Sequence, residues 1–124
     1  MEELRIVIYQ NDPGAAQNLA VSLSQHFDSI HLAGSHEEVR LAVTRQCADV
    51  LVLDLETSGP GEVEHLHREF PGLCIVGTHR LADDELWTEA VNCGASDICE
   101  PRQKDVVRSV LHSVSHGLTR HAAA

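Results

Sequence analysis

Apolar positions along the chain change their period repeatedly, and each change marks an element boundary. "LRIVIY", residues 4–9, is a short β-branched run followed after Gln10 by the turn-like "NDPG", which predicts a buried strand. Ala15, Ala16, Leu19, Ala20, Leu23 and Phe27 then recur at helical spacing. Asp12-Pro13 supplies a carboxylate cap and a first-turn proline for that helix. "SIHLAG" predicts a second strand, and "SHEE", residues 35–38, a capping box for a helix carrying Val39, Ala42 and Val43. "DVLVLD" predicts a third strand, after which the chain breaks into Gly and Pro over "ETSGPG". Val63, Leu66 and Phe70 mark a helical face ending at Pro71-Gly72. "LCIVGT" predicts a fourth strand. Leu86, Ala90, Val91 and Cys93 make a helix stopped by Gly94, and "SDIC" is a short fifth strand. Val106, Val107, Val110, Leu111, Val114 and Leu118 give the fifth helix a continuous apolar stripe.

The order is strand then helix, five times. Strands without polar alternation, each followed by a helix, imply a parallel sheet covered on both faces. At 124 residues the chain suits one domain, expected over 1–121, with 122–124 as a tail or the start of a linker.

Composition narrows the function. Hydrophobic residues make up 43% and charged residues 23%, as in a globular domain. No apolar run approaches the roughly 18 residues of a membrane span, and "MEELRIVIYQ" lacks a basic leader and a cleavage pattern. The expected location is cytoplasmic, with no membrane partner. The formal charge of -10 argues against nucleic-acid binding by this domain, where basic residues supply most of the attraction. A protein or small-molecule partner is expected instead. Cys47, Cys74, Cys93 and Cys99 form no C-x-x-C pair and read as buried thiols. His112 and His116, four apart on the fifth helix, have no third ligand at fixed spacing, as zinc would need. Neither a phosphate-binding glycine loop nor a serine nucleophile elbow is present. Trp87 is the only tryptophan. Core packing is its commoner fate, and an exposed ring would mark an interaction face.

In open parallel α/β sheets, sites form beyond the carboxyl ends of the strands. Asp54 ends the third strand there. Gln10, Asn11 and Asp12 follow the first, Thr78 ends the fourth and Glu100 follows the fifth, so these residues are expected to converge.

"DVLVLDLETSGPG" around Asp54, "IVGT" ending at Thr78 and "AVNCGASDICEP" before the fifth helix together resemble a CheY-like receiver, the phospho-acceptor module of bacterial response regulators. The resemblance covers nearly the whole chain. It implies a flavodoxin-like (βα)5 doubly wound fold with strand order 2-1-3-4-5. It implies that Asp54 takes a phosphoryl group from a histidine kinase or phosphotransfer protein, and that the Thr78 hydroxyl bonds a phosphate oxygen. It also implies Mg²⁺, held by an acid pair after the first strand, the acceptor and the Glu56 carbonyl, and a lysine after the fifth strand.

This chain departs from that pattern. Gln10 and Asn11 stand where the acid pair is expected, and Asp12 reads better as a helix cap. Glu100, before Pro101, holds the lysine position, and "SDICEP" contains no lysine. Neutral amide oxygens weaken a Mg²⁺ site that relies on carboxylates. Exchanging Lys for Glu changes the local charge by two units. Two unit charges ~4 Å apart interact by about 4 kcal/mol at an effective dielectric of ~20. Weak phosphorylation of Asp54, or none, is therefore expected. The remaining metal candidates are Asp12, Asp54 and Glu56, if Asp12 turns inward. The expected function is a non-enzymatic signalling module with a degenerate phosphorylation site. It acts through a protein partner or a homodimer on the face of the fourth helix, fifth strand and fifth helix. The alternatives are a working phosphorelay receiver with altered metal use and a small-ligand sensor. A deep apolar pocket beside Asp54 would favour the sensor.

Overall fold

The computed structural model describes residues 4–123, with side chains as far as Ser115. The strands are β1 (Arg5–Tyr9), β2 (Ser29–Ala33), β3 (Val50–Asp54), β4 (Cys74–Thr78) and β5 (Asp97–Cys99). They form one sheet in the order β2-β1-β3-β4-β5, and every neighbouring pair is parallel. The helices are α1 (Pro13–Ser24), α2 (His36–Gln46), α3 (Leu55–Ser58), α4 (Pro60–Glu69), α5 (Asp84–Asn92) and α6 (Gln103–Ala123).

Successive strand residues point to opposite faces, and both faces are covered. Val7, Tyr9, Leu51, Leu53 and Ile75 pack beneath Val39 and Val43 of α2, Val63 and Leu66 of α4 and Ala90 of α5. Ile6, Ile8, Val50, Val52 and Val76 pack beneath Leu19 and Leu23 of α1 and Val106 and Val110 of α6. All five residues of β3 are buried, which is why its sequence shows no alternation.

The helix starts follow the expected chemistry. The Asp12 carboxylate accepts from the Gly14 N–H at 3.0 Å, with Pro13 opening α1. The Ser35 hydroxyl accepts from the Glu38 N–H at 3.2 Å. The returning arm of this capping box falls one residue early, since Glu38 Oε2 accepts from the Gly34 N–H at 2.9 Å.

Three expectations need correction. "ETSGPG" is not all loop, because Leu55–Ser58 form one helical turn capped by Asp54. Leu111 is 41% exposed and leaves the apolar stripe of α6, whereas Ser109 and Ser113 are buried on that helix. Ser109 fits there because its hydroxyl donates to Asp97 Oδ2 at 2.6 Å. Cys47 is exposed at the end of α2 in a left-handed conformation, while the other three thiols are half-buried and none is bonded to another. Burial pushes the Cys99 thiol up to about 12. The side chains of His116 and Leu118 lie outside the described part of α6. Among the described residues, no helix is long and apolar enough to cross a membrane.

Candidate functional site

Asp54 is the last residue of β3 and the cap of α3, so its carboxylate lies where strand and helix meet. It is only 8% exposed, and both oxygens are engaged. Oδ1 accepts from the Glu56 N–H at 3.0 Å. Oδ2 accepts from the Asn11 N–H at 3.0 Å and from the Thr57 hydroxyl at 3.2 Å. The strand thus ends on a carboxylate that closes the turn behind it and ties β3 to the chain leaving β1.

Leu55 anchors this turn. It is buried against Gly77 of β4, where an added Cβ would come within 2.5 Å of Leu55 Cδ1 and 2.7 Å of Ile98 Cδ1. The missing side chain at Gly77 makes room for Leu55, and Leu55 seats the amide groups that face Asp54.

Thr78 is the register partner of Asp54 on the adjacent strand. Its hydroxyl does not turn to Asp54. It accepts from Gln10 Nε2 at 2.9 Å, in a buried bond. Gln10 follows β1 and Thr78 ends β4, with β3 between them in the sheet. The bond therefore spans the carboxyl end of β3.

The side chains of the other predicted site residues do not join them. Asp12 spends its carboxylate on Gly14 at the start of its own helix. Asn11 reaches Asp54 through its backbone N–H. The Glu56 carboxylate turns to Arg80 in the loop after β4, accepting from Nε at 2.8 Å and from the backbone N–H at 3.2 Å. That arginine holds the Glu56 carboxyl below the usual glutamate range. Glu100 pairs with Arg102 at 2.5 Å. The expected metal set of Asp12, Asp54 and Glu56 is thus not assembled, and among the described residues no three His, Cys, Asp or Glu side chains converge to hold a metal ion. Mg²⁺ does not fit this donor set, because each carboxylate already serves a cap, a turn or an ion pair.

Sequence reasoning missed Arg80, Thr57 and the Gln10–Thr78 bond. Thr57 had a signal, since it stands three residues after a capping Asp. Arg80 had none, because its partner lies 24 residues away. A cavity of about 400 Å³ opens between α1 and the start of α6, lined by residues that include Asn18, Leu19, Arg102 and Lys104. Asp54 and Thr78 are not among its lining residues, so it is not the strand-end pocket a ligand sensor would need.

Neither a family model nor a curated protein matches the sequence. Solved structures do match its shape. A CheY-like response regulator receiver domain from Methanospirillum hungatei superposes with a TM-score of 0.81, covering 96% of this chain and 99% of that one at 16% identity. The fold is that of a response-regulator receiver domain. The signal receiver domain of a DNA-binding response regulator from Colwellia psychrerythraea gives 0.79 over 91% of this chain and 99% of that one, at 17% identity. A response regulator from Thermotoga maritima gives 0.79 over 92% and 99%, at 18% identity. Within this receiver fold the strand order 2-1-3-4-5 is as expected, and Asp54 and Thr78 end the two strands that adjoin at the site.

Proposed function

We propose that this chain is a signal-transduction receiver module that works through protein contact, without phosphoryl transfer to Asp54 and without catalysis of its own. The observation that carries this reading is the burial of Asp54, 8% exposed, with both oxygens accepting from protein donors. A phosphoryl acceptor must present an accessible oxygen, and charge on the transferring group must be met by cations. Here the lysine position holds Glu100, and Arg80 is committed to Glu56.

The contact face in this proposal is built by α5, β5 and α6. Trp87 is 47% exposed on α5, and its indole N–H makes a long bond of 3.4 Å to Asp97 of β5. Asp84 and Val91, three before and four after it, share its side of the helix. Ser109 reaches the same Asp97 from α6, which brings Asp105 and His112 to this face by the same spacing. An aromatic ring rimmed by acids suits a protein partner or a second copy of the chain.

Incubation with acetyl phosphate, or with beryllofluoride, at millimolar Mg²⁺ tests the reading. Unchanged mass and unchanged amide spectra are expected. A mass gain or spectral shift that Asp54→Asn abolishes would overturn it. That outcome would favour a working phosphorelay receiver, a reading supported by the register pairing of Asp54 with Thr78. In it, a kinase or phosphotransfer protein would be the donor.

A further inference from the structure

Three side chains distant in sequence meet beside α3. His36 opens α2, Ser58 closes α3 and Glu62 lies in the first turn of α4. Ser58 Oγ is 2.6 Å from His36 Nε2. The other ring nitrogen, Nδ1, faces Glu62 Oε2 at 3.9 Å. Glu62 is fixed in turn by Arg40 at 2.7 Å, and Arg40 also holds Glu69 at 3.0 Å. Tyr9 walls the imidazole, with ring centroids 5.1 Å apart. No contact in this cluster involves Asp54 or Thr78.

From this juxtaposition we infer that Ser58 is an activated nucleophile, an acceptor site for acyl groups from small uncharged activated esters. The arrangement is a hydroxyl in hydrogen-bond reach of an imidazole whose far side looks at a carboxylate. The negative charge of Glu62 favours the tautomer with the proton on Nδ1. In that tautomer Nε2 has a lone pair to accept the Ser58 hydroxyl proton, 2.6 Å away. Arg40 holds Glu62 beside the ring, where at 3.9 Å its charge faces Nδ1. His36 keeps 37% of its side chain exposed and Ser58 is half-buried, so a small electrophile can approach. The acids Glu56 and Glu62, in a chain of net charge -10, disfavour anionic donors, which is why the class is uncharged.

In the step, Ser58 Oγ attacks the ester carbonyl carbon and its proton passes to His36 Nε2. The bond from carbon to Oγ forms and the bond from carbon to the leaving oxygen breaks. The proton on Nε2 then goes to the leaving oxygen, giving acyl-Ser58 and the free hydroxyl compound, which for an acidic phenol ionises in solution. Nothing is oxidised or reduced. The sequence could not show this, because positions 36, 58 and 62 belong to three helices joined only by the fold.

The test uses p-nitrophenyl acetate with the full chain carrying Cys47→Ser, which removes the one exposed thiol. Release of nitrophenolate is followed together with peptide mass mapping. One acetyl group is expected on the Ser58 peptide, formed about 100-fold faster than on N-acetylserinamide under the same conditions. Ser58→Ala abolishes that acetyl group, and His36→Gln slows its formation by about 100-fold. An unmodified Ser58, a rate no higher than the free serine amide, or a rate unchanged by His36→Gln overturns the inference. Because Asp54 takes no part, either result leaves the proposed receiver function standing or falling on its own test.

Discussion

Gln10 donates a hydrogen bond to the Thr78 hydroxyl at 2.9 Å, linking β1 to β4 across the end of the strand between them. Both side chains are buried, so neither has water as a ready alternative partner. Thr78→Val strands the Gln10 amide and should lower stability by about 1–3 kcal/mol. Replacing both partners, Gln10→Leu with Thr78→Val, should recover part of that loss. Urea unfolding of the two single variants and the double variant measures the coupling.

Asp54→Ala removes one acceptor group from three donors and the cap from α3. A loss of about 2 kcal/mol is expected. Asp54→Asn keeps one carbonyl oxygen and should lose about half as much. Denaturant midpoints at unchanged slope are the measurement. If both substitutions were neutral, the carboxylate would have no structural role.

Gly77→Ala places a methyl group within 2.5 Å of Leu55 Cδ1. Overpacking of this kind costs about 1–3 kcal/mol. The displaced Leu55 should loosen α3, so hydrogen exchange at the Glu56 amide should quicken more than exchange in α1. Peptide-resolved exchange separates this local effect from a uniform loss of stability.

The Glu56–Arg80 pair gives the loop after β4 an acid-sensitive hold. Arg80 depresses the folded-state value of Glu56, so the unfolded chain binds the proton more readily. The stabilisation is complete above the ordinary glutamate value of about 4.3 and is lost as pH falls below it through the depressed value. Arg80→Ala should flatten this part of the stability profile. Unfolding curves between about pH 3 and 6 compare the two chains, and the difference should shrink at high salt because Arg80 is exposed.

Much of this was legible in the sequence because it is local. Asp12 and Pro13 start α1 as their chemistry requires, and unbroken apolar strands implied the doubly covered sheet. Asp54 and Thr78 could be placed at strand ends because strand length and turn signals fix those ends. What the sequence hid are choices among partners. Asp12 had an inward option and a local one, and the local backbone N–H won. Glu56 turned to a cation 24 residues away, which no spacing rule encodes. Leu111 shows the limit of periodicity: it fits the stripe, yet Ser109 takes the buried place because Asp97 is there to receive its hydroxyl.

Asp97 has a further consequence. β5 is three residues long, and its first carboxylate is shared by Trp87 on one side of the sheet and Ser109 on the other. One carboxylate thus joins the two helices across the sheet edge, in addition to the apolar packing that holds each of them. A partner that draws the indole N–H away leaves Asp97 to Ser109 alone, so occupancy of the α5 face alters the polar surroundings of α6.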